Sequence, residues 1–280
     1  MALHGRLRKL GSFRHLRDGL PGPAGRSPAG RQEPLLGGPI SNKRSSTLSS
    51  STVRPSFLLV HGGYHTASSW SPVRDILAAD GWESEAISMP SAGEQPTAGL
   101  YDDAEALAAR LQRIHGPVVV VGHSHAGLTI TQLGSEHPNL VRLIYVAAFM
   151  PAEGVSAATA FGIPVPDDPS GLAPREAYGN PRETFYSDLS DVDAKTAIDQ
   201  LVDQSLLSCV QPTTRAAWRK VPSTYVICTE DKQFPVSLQE QYAAQTTDVV
   251  RIPTGHSPML STPDRVVDIL TSRAGEAFRN

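Results

Sequence analysis

The sequence predicts an α/β fold in which a six-stranded, mostly parallel sheet is covered by helices on both faces. The first observation behind this prediction is that short apolar runs, beginning at residues 57–60, alternate with segments of helical periodicity. The second is that these runs are apolar throughout rather than at every other residue, which is typical of parallel strands buried on both faces. The helical segments between the runs allow neighbouring strands to point the same way.

The individual elements follow from the same two patterns. Four consecutive valines, Val118–Val121, mark the most strand-like segment, and the spacing of Leu107 and Leu111 indicates the apolar stripe of a helix. The predicted strands are 57–60, 82–89, 117–121, 141–147, 223–229 and 249–252. The predicted helices are 71–79, 103–114, 125–136, 237–245 and 265–273.

Residues 154–221 interrupt this alternation. The segment contains a proline-rich loop at 163–169, a predicted helix at 192–202 and a short helical stretch at 214–219. An insertion of this size between two strands predicts a helical cap over the carboxyl edge of the sheet. We therefore expect one domain, residues 55–280, that carries this cap.

The charge distribution separates residues 1–54, here called the leader, from the rest of the 280-residue chain. The leader holds ten Lys or Arg and two acidic residues, a net charge of +8, whereas the remainder carries −11. It is rich in Pro, Gly and Ser, and such a composition cannot pack a core. The leader is therefore predicted to be a basic extension outside the domain.

The first twenty residues of the leader carry apolar side chains, from Leu3 to Leu20, at helical spacing with Arg and Lys between them. A basic amphipathic start resembles an organelle transit peptide. A disordered tail and a start codon assigned too far upstream are the alternatives that the sequence leaves open. We expect a cytoplasmic protein, with organelle targeting through residues 1–54 as the alternative.

Composition excludes several classes of protein. No apolar run approaches the roughly 20 residues of a membrane span, and the start lacks the apolar core of a secretory signal. The acidic domain offers no surface for nucleic acid. Two cysteines, Cys209 and Cys228, are too few for a disulfide framework or a cysteine-built metal site. The oligomeric state stays open, and a homodimer is one option.

The most specific short motif of the chain is Gly122-His123-Ser124-His125-Ala126, which has a serine at its centre. The serine lies between an apolar strand and a helix, with small residues on both sides. This pattern predicts a tight, strained turn, a nucleophile elbow, that pushes a hydroxyl out above the sheet. Ala126 stands where such turns usually have glycine, which is a small departure from the pattern.

A serine nucleophile needs a base and an orienting acid, and both follow it in the chain in folds of this kind. His256 is the predicted base because it lies in the loop after the last strand. Asp231 is the predicted acid because it ends the preceding strand, and its neighbour Glu230 is the alternative. We expect His61 to hold its own loop and His123 to point into the scaffold.

Two backbone N–H groups are predicted to form an oxyanion hole. One belongs to His125, directly after the nucleophile, and the other to Gly63, in the loop after the first strand. The pairs His61/His65 and His123/His125 do not lie on a helix face, and neither has a third ligand at matching spacing. No metal and no cofactor are therefore predicted.

Several bulky apolar residues are candidates to line a substrate pocket, although core packing is the competing interpretation for each. They are Tyr64, Phe149, Met150, Phe161, Trp218, Phe234 and Met259.

Five stretches, taken in order, resemble a small branch of the α/β-hydrolase superfamily that includes plant methyl esterases, hydroxynitrile lyases and bacterial esterases of the pyrethroid-hydrolase type. They are FLLVHGGYHTASSW from residue 57, GHSHAG from 122, IYVAAFMP from 144, PSTYVICTEDKQF from 222 and GHSPML from 255. The resemblance covers residues 56–272 and implies an α/β-hydrolase fold that lacks the first two strands of larger members. It also implies Ser124, Asp231 and His256 as a catalytic triad.

The same resemblance bears on the reaction. Hydroxynitrile lyases of this branch carry Thr after the first His and Lys after the catalytic His, where this chain has Gly62 and Ser257. The sequence therefore favours a cofactor-independent serine esterase that cleaves a small-to-medium carboxylic ester through an acyl-enzyme intermediate. A lyase similar to the hydroxynitrile lyases and a ligand-binding receptor on the same fold are the alternatives.

Overall fold

The structure, a computed structural model, describes residues 54–276, so the predictions for the leader lie, apart from Arg54, outside the described residues. The strands are β1 (Ser56–Val60), β2 (Ser84–Ile87), β3 (Ala92–Gly93), β4 (Val118–His123), β5 (Leu140–Val146), β6 (Asp203–Gln204), β7 (Ser223–Cys228) and β8 (Asp248–Ile252). Six of them form one parallel sheet in the order β2–β1–β4–β5–β7–β8. The predicted α/β class and six-stranded parallel sheet are therefore confirmed.

Six of the ten α-helices of the described residues lie in predicted segments, one with the predicted bounds and five with shifted ends, and four short helices were not predicted. The ten helices are α1 (Ser71–Ala79), α2 (Leu100–Gln112), α3 (Ala126–Gln132), α4 (Ala157–Ala160), α5 (Pro181–Thr184), α6 (Asp191–Asp199), α7 (Leu206–Val210), α8 (Val236–Ala243), α9 (Pro258–Ser261) and α10 (Pro263–Glu276). Helix α2 begins three residues earlier than predicted because the Asp102 carboxylate accepts the Gly99 N–H at 2.7 Å, which caps its first turn. No described helix is long and apolar enough to cross a bilayer.

Side chains of the sheet alternate between two apolar layers. Along β1, Leu58 and Val60 face the layer that contains residues of α2, α3 and α8, whereas Phe57 and Leu59 face the layer that contains residues of α1 and α10. All four side chains are fully buried. Burial on both faces explains why the strands read as continuous apolar runs in the sequence.

The strand order reverses between β1 and β4. From β1 the chain moves to the edge strand β2, and from β4 it moves in the opposite direction through β5 and β7 to β8. Open α/β sheets bind ligands at the carboxyl edge where the order reverses, because loops leaving there in opposite directions open a crevice. The loops that begin at His61 and Ser124 flank this crevice.

A long connection, residues 147–222, joins β5 to β7 and contains α4 to α7. The helix predicted at 192–202 is α6, whereas only Ala217–Arg219 of the stretch predicted at 214–219 forms a short 3-10 helix. Strand β6 of this connection pairs antiparallel with β3, a two-stranded element that the sequence patterns did not predict. The division into leader, domain and cap stays a prediction.

Helix α3 packs against the chain after β5 with no side chain between the two backbones. A methyl group added at Gly127 would lie 1.9 Å from the carbonyl oxygen of Phe149 and 2.7 Å from its nitrogen. Only glycine therefore fits at position 127. At Ala126, by contrast, the methyl group is buried in the core without such a clash, which explains why alanine can replace the usual glycine there.

We predict that Gly127→Ala lowers the free energy of unfolding by about 3 kcal/mol or more, since the clash is with backbone that cannot rotate away. The matched control is Gly275→Ala in α10, where an added methyl group meets no atom of the described residues within 4 Å. That variant should be neutral or stabilised by up to about 1 kcal/mol. Urea unfolding checks both, and equal midpoints for the two variants would contradict the packing argument.

Candidate active site

Three residues far apart in the sequence meet at the carboxyl edge of the sheet. Ser124 follows β4, Asp231 lies in the loop after β7, and His256 lies in the loop after β8. His256 Nε2 is 3.0 Å from Ser124 Oγ, and His256 Nδ1 is 2.8 Å from Asp231 Oδ2. The side chains of His256 and Asp231 are 1% and 0% exposed, whereas Glu230 is exposed. A hydroxyl bonded to an imidazole that a buried carboxylate orients can act as a nucleophile.

Ser124 has the backbone strain expected of a nucleophile elbow. Its φ is +52°, in the left-handed region that non-glycine residues rarely adopt. Such a conformation costs about 1–3 kcal/mol and persists only where neighbouring groups hold it. The Ser124 N–H donates to the Val146 carbonyl at 3.1 Å, and the Ser124 carbonyl accepts from the N–H groups of Gly127 and Phe149.

Asp231 is held by more than the histidine. Its Oδ1 accepts the N–H groups of Gln233 and Phe234, both at 2.8 Å, and its Oδ2 accepts a hydrogen bond of 3.1 Å from Gln239 Nε2. Gln239 is fully buried on α8, and its Oε1 accepts the Cys228 N–H at 2.9 Å. Gln239 was not among the predicted site residues, although a glutamine on the inner face of a predicted helix is a signal of a buried polar contact.

The residues that carry the two predicted oxyanion donors are neighbours in space. A methyl group added at Gly63 would be 3.4 Å from the Cβ of His125, and one added at Gly62 would be 3.1 Å from the Cβ of Ser124. Neither the Gly63 N–H nor the His125 N–H donates a hydrogen bond to another group of the described residues. Two adjacent free N–H groups beside a serine hydroxyl can receive a negatively charged oxygen.

His61 holds the loop that carries Gly63, as the sequence predicted. Its Nε2 accepts the Met89 N–H at 2.9 Å, so its Nδ1 carries the proton and donates to the Gly62 carbonyl at 2.8 Å. Burial lowers the pKa of His61 to about 4, which keeps this arrangement neutral at physiological pH. The carbonyl fixed in this way belongs to the same peptide unit as the Gly63 N–H.

The remaining histidines near the site are also neutral. His123 points into the scaffold, as predicted, and its Nε2–H donates to the carbonyl of His256 at 2.8 Å. Burial lowers its pKa well below the ordinary range. Burial likewise lowers the pKa of His65 and of His125 to about 4. In the described residues, no group of three or more His, Cys, Asp or Glu side chains is arranged to hold a metal ion.

The predicted pocket residues separate into two groups. Phe149, Phe161 and Phe234 contact one another edge to face, with ring centroids 4.8–5.7 Å apart, and Phe149 also meets the ring of His125 at 6.5 Å. Phe161 is 39% exposed, so this aromatic cluster opens to solvent. The other candidates take separate positions: Tyr64 in the loop after β1, Met150 and Met259 buried in the two core layers, and Trp218 with its N–H bonded to Pro151.

Two residues of the long connection touch the loop of His256, and sequence analysis missed both. The ring of Phe185 stacks on the ring of His256 with centroids 5.7 Å apart and an interplanar angle of 25°. The Asp188 carboxylate accepts the Gly255 N–H at 2.8 Å. Both lie in an irregular segment of the connection between β5 and β7. Such a segment has no helical or strand periodicity from which the direction of a side chain could be predicted.

Comparison with known proteins places the chain in a family. Residues 57–269 match the alpha/beta hydrolase family. The chain belongs to the alpha/beta hydrolase family. An alpha/beta hydrolase of Aspergillus novofumigatus is 30% identical over 247 residues, which cover 81% of this chain and 99% of that protein.

Two further relatives lie in the branch that the sequence resembles. Methylesterase 1 of Arabidopsis thaliana is 26% identical over 245 residues, which cover 76% of this hydrolase and 93% of that protein. The crystal structure of a pyrethroid hydrolase from Sphingobium faniae superposes with a TM-score of 0.64 at 22% identity, over 79% of this chain and 97% of that one. The predicted family and branch are confirmed, and the fold class with them.

We predict that the buried histidines make this hydrolase sensitive to acid. Their folded pKa values of about 4 lie below the ordinary value of 6.5, so the unfolded state binds more protons between these pH values. The stability that they contribute is complete above pH 6.5 and is lost as pH falls towards 4, by up to about 1.4 kcal/mol per pH unit for each group. Burial raises the pKa of Asp103 to about 6, so this carboxyl binds more protons in the folded state and its contribution to stability grows as pH falls from 6 to 4. It therefore offsets the loss from one of the histidines over that pH range.

The comparison of His125→Leu with His115→Gln checks this prediction by urea unfolding at pH 7 and pH 5. His125 Nε2 is buried without a hydrogen-bond partner, so leucine removes a titrating group without breaking a bond, and the pH slope should decrease. His115 is exposed and serves as the control. Identical slopes in the two variants would show that burial of His125 does not couple to folding.

Proposed function

We propose that this hydrolase is a serine esterase that cleaves a small-to-medium carboxylic ester through an acyl-enzyme intermediate. The observation that carries the proposal is the line of hydrogen bonds from Asp231 through His256 to Ser124, at 2.8 and 3.0 Å. It ends on a hydroxyl that a strained turn holds beside two free N–H groups. In this proposal the N–H groups of Gly63 and His125 form the oxyanion hole.

Acylation begins when His256 Nε2 takes the proton of Ser124 Oγ as that oxygen attacks the ester carbonyl. The carbonyl oxygen becomes negatively charged and accepts hydrogen bonds from the N–H groups of Gly63 and His125. Asp231 stabilises the imidazolium and keeps its ring in orientation. His256 then donates the proton to the departing alcohol, and the acyl group stays on Ser124.

Deacylation repeats the sequence with water as the nucleophile. His256 takes a proton from the water as it attacks the acyl carbonyl, and the same two N–H groups stabilise the second oxyanion. Return of the proton to Ser124 Oγ releases the carboxylic acid. No step requires a cofactor.

Two observations support an ester as the substrate class. The name of one relative, methylesterase 1, describes an ester-cleaving enzyme, and the name of the other, a pyrethroid hydrolase, describes a hydrolase. Ser257 follows the proposed base, so the position offers no ammonium group to stabilise departing cyanide. The cluster of Phe149, Phe161 and Phe234 beside His125 supports an apolar acyl or alcohol group of modest size.

We predict that Ser124→Ala lowers kcat by about 10⁴–10⁶-fold, because the nucleophile is lost while the fold is kept. The measurement is hydrolysis of a panel of p-nitrophenyl esters of increasing acyl length, together with labelling by a fluorophosphonate. Ser237→Ala, an exposed position on α8, is the matched control and should retain full activity and labelling. Near-wild-type turnover by Ser124→Ala would refute the assignment.

The same experiment separates the alternatives. Labelling of Ser124 without hydrolysis of any ester would favour a lyase or another cofactor-independent reaction. Tight ligand binding by Ser124→Ala, with no turnover by the parent, would favour a receptor.

We further propose that residues 55–280 form the complete hydrolase domain, that residues 154–221 cap the site and that residues 1–54 take no part in catalysis. All groups assigned to the chemistry lie after residue 60. Deletion of residues 1–50 should therefore leave kcat for the best ester unchanged. A large loss of kcat in a folded deletion variant, checked by circular dichroism, would contradict this prediction.

A further inference from the structure

The loop that carries Gly63 has little stiffness of its own. Gly62 and Gly63 are adjacent glycines with wide backbone freedom, and Tyr64 next to them has a φ of +63°. A tyrosine in this left-handed conformation persists only where its surroundings hold it. His61 fixes the peptide unit that carries the Gly63 N–H, so the N–H keeps its direction only if the chain after Gly63 is held as well.

The connection between β5 and β7 binds both sides of Tyr64. The Tyr64 N–H donates to Gln204 Oε1 at 3.1 Å, and the Tyr64 carbonyl accepts the Val202 N–H at 2.9 Å. Gln204 is 1% exposed, and its Nε2 donates to the hydroxyls of Ser91 and Ser208 at 2.9 and 2.7 Å. These bonds hold the strained residue beside the donor.

A second contact acts on Gly63 itself. His65 Nδ1 lies 2.6 Å from the Gly63 carbonyl, and His65 Nε2 lies 2.8 Å from the hydroxyl of Tyr186. Because a carbonyl only accepts, Nδ1 carries the proton, and because burial keeps the ring neutral, Nε2 is the acceptor. The hydroxyl of Tyr186, which is fully buried, therefore donates to His65.

We propose that His65 and Tyr186 are positioning residues for the oxyanion hole. Tyr186 orients the ring of His65, and His65 fixes the peptide unit that follows Gly63. His61 fixes the preceding unit, which carries the Gly63 N–H, so the two anchors together restrict the backbone torsions of Gly63 and keep its N–H in place. The inference rests on the proposed function, since only acyl transfer creates the oxyanion that this N–H would bind. Neither side chain touches the reacting atoms, so both act through Gly63.

A change at Tyr186 could also affect activity through its neighbours, which contact the loop of His256. The test must distinguish this effect from an effect on the Gly63 N–H. Phe185 stacks on His256, and Asp188 binds the Gly255 N–H, so a displaced segment would disturb the base. Damage to the base would move the pH profile of kcat/KM, which reports the ionisation of the essential acid and base in the free enzyme. Loosening of the Gly63 N–H lowers kcat at every pH and leaves that profile in place.

The first test is Tyr186→Phe in the full chain, which removes the hydroxyl and keeps the ring. With p-nitrophenyl butyrate we expect kcat to fall about tenfold, the loss typical of one hydrogen bond, with KM within about twofold. The midpoint of the pH profile should not move, and labelling of Ser124 by a fluorophosphonate should slow in parallel. Tyr178→Phe is the matched control, because Tyr178 packs in the same apolar cluster and its hydroxyl bonds no other described residue.

The second test separates the two nitrogens of His65. His65→Asn keeps an N–H donor at the position of Nδ1, whereas His65→Gln keeps a polar group only at the position of Nε2. We expect His65→Asn to keep most of kcat and His65→Gln to lose about 10²-fold, approaching the loss of an oxyanion donor.

Several results would overturn the inference. Equal activity of His65→Asn and His65→Gln would show that His65 acts by packing. A wild-type kcat in Tyr186→Phe would show that the Tyr186 hydroxyl does not position His65 for catalysis. A shifted pH profile in Tyr186→Phe would assign the effect to His256 instead. These outcomes are distinct from failure of the esterase proposal, in which Ser124→Ala itself keeps the activity.

Discussion

The tight turn at Ser124 is the constraint on which the rest of the site depends. Helix α3 must leave β4 at once in order to pack on the chain after β5, where Gly127 meets the backbone of Phe149. Ser124 lies in the left-handed region at this turn, and hydrogen bonds at its N–H and carbonyl hold it there. The turn also leaves the His125 N–H ahead of the first helical hydrogen bond, so it is free. One backbone constraint thus presents both the proposed nucleophile and one of the two proposed oxyanion donors.

The long connection between β5 and β7 is bound to two loops of the site. Its Gln204 and Tyr186 hold the loop of Gly63, the first directly at Tyr64 and the second through His65, while its Asp188 holds the loop of His256. Insertions of this kind are free to vary where they only shape a pocket. Here the same segment is bound to two catalytic loops, so changes that alter substrate preference must preserve these contacts.

The features predicted from the sequence are those that local chemistry determines. Burial on both faces made the strands continuously apolar, so the sheet could be predicted from the sequence. The predicted nucleophile, acid and base each follow a strand, so the meeting of Ser124, Asp231 and His256 at one edge of the sheet follows from strand positions, whereas their catalytic roles stay a prediction. Gln239 and the contact between His65 and Tyr186 could not be predicted in this way, because they join segments whose mutual positions no periodic pattern encodes. The glycine that the elbow requires is Gly127 rather than residue 126, which depends on the chain after β5.

Five histidines, His61, His65, His123, His125 and His256, crowd around one serine, and their protonation must differ for the site to work. Of the described histidines only His256 hydrogen-bonds a carboxylate, so it alone has a partner for the positive charge. The ring of His123 is 4.7 Å away, and a second cation there would oppose that charge by about 3.5 kcal/mol at an effective dielectric constant of about 20. Burial keeps His123 and the other three neutral. In the proposed mechanism, the proton of Ser124 therefore goes to His256, because every neighbouring imidazole already donates to a carbonyl or lacks any anionic partner.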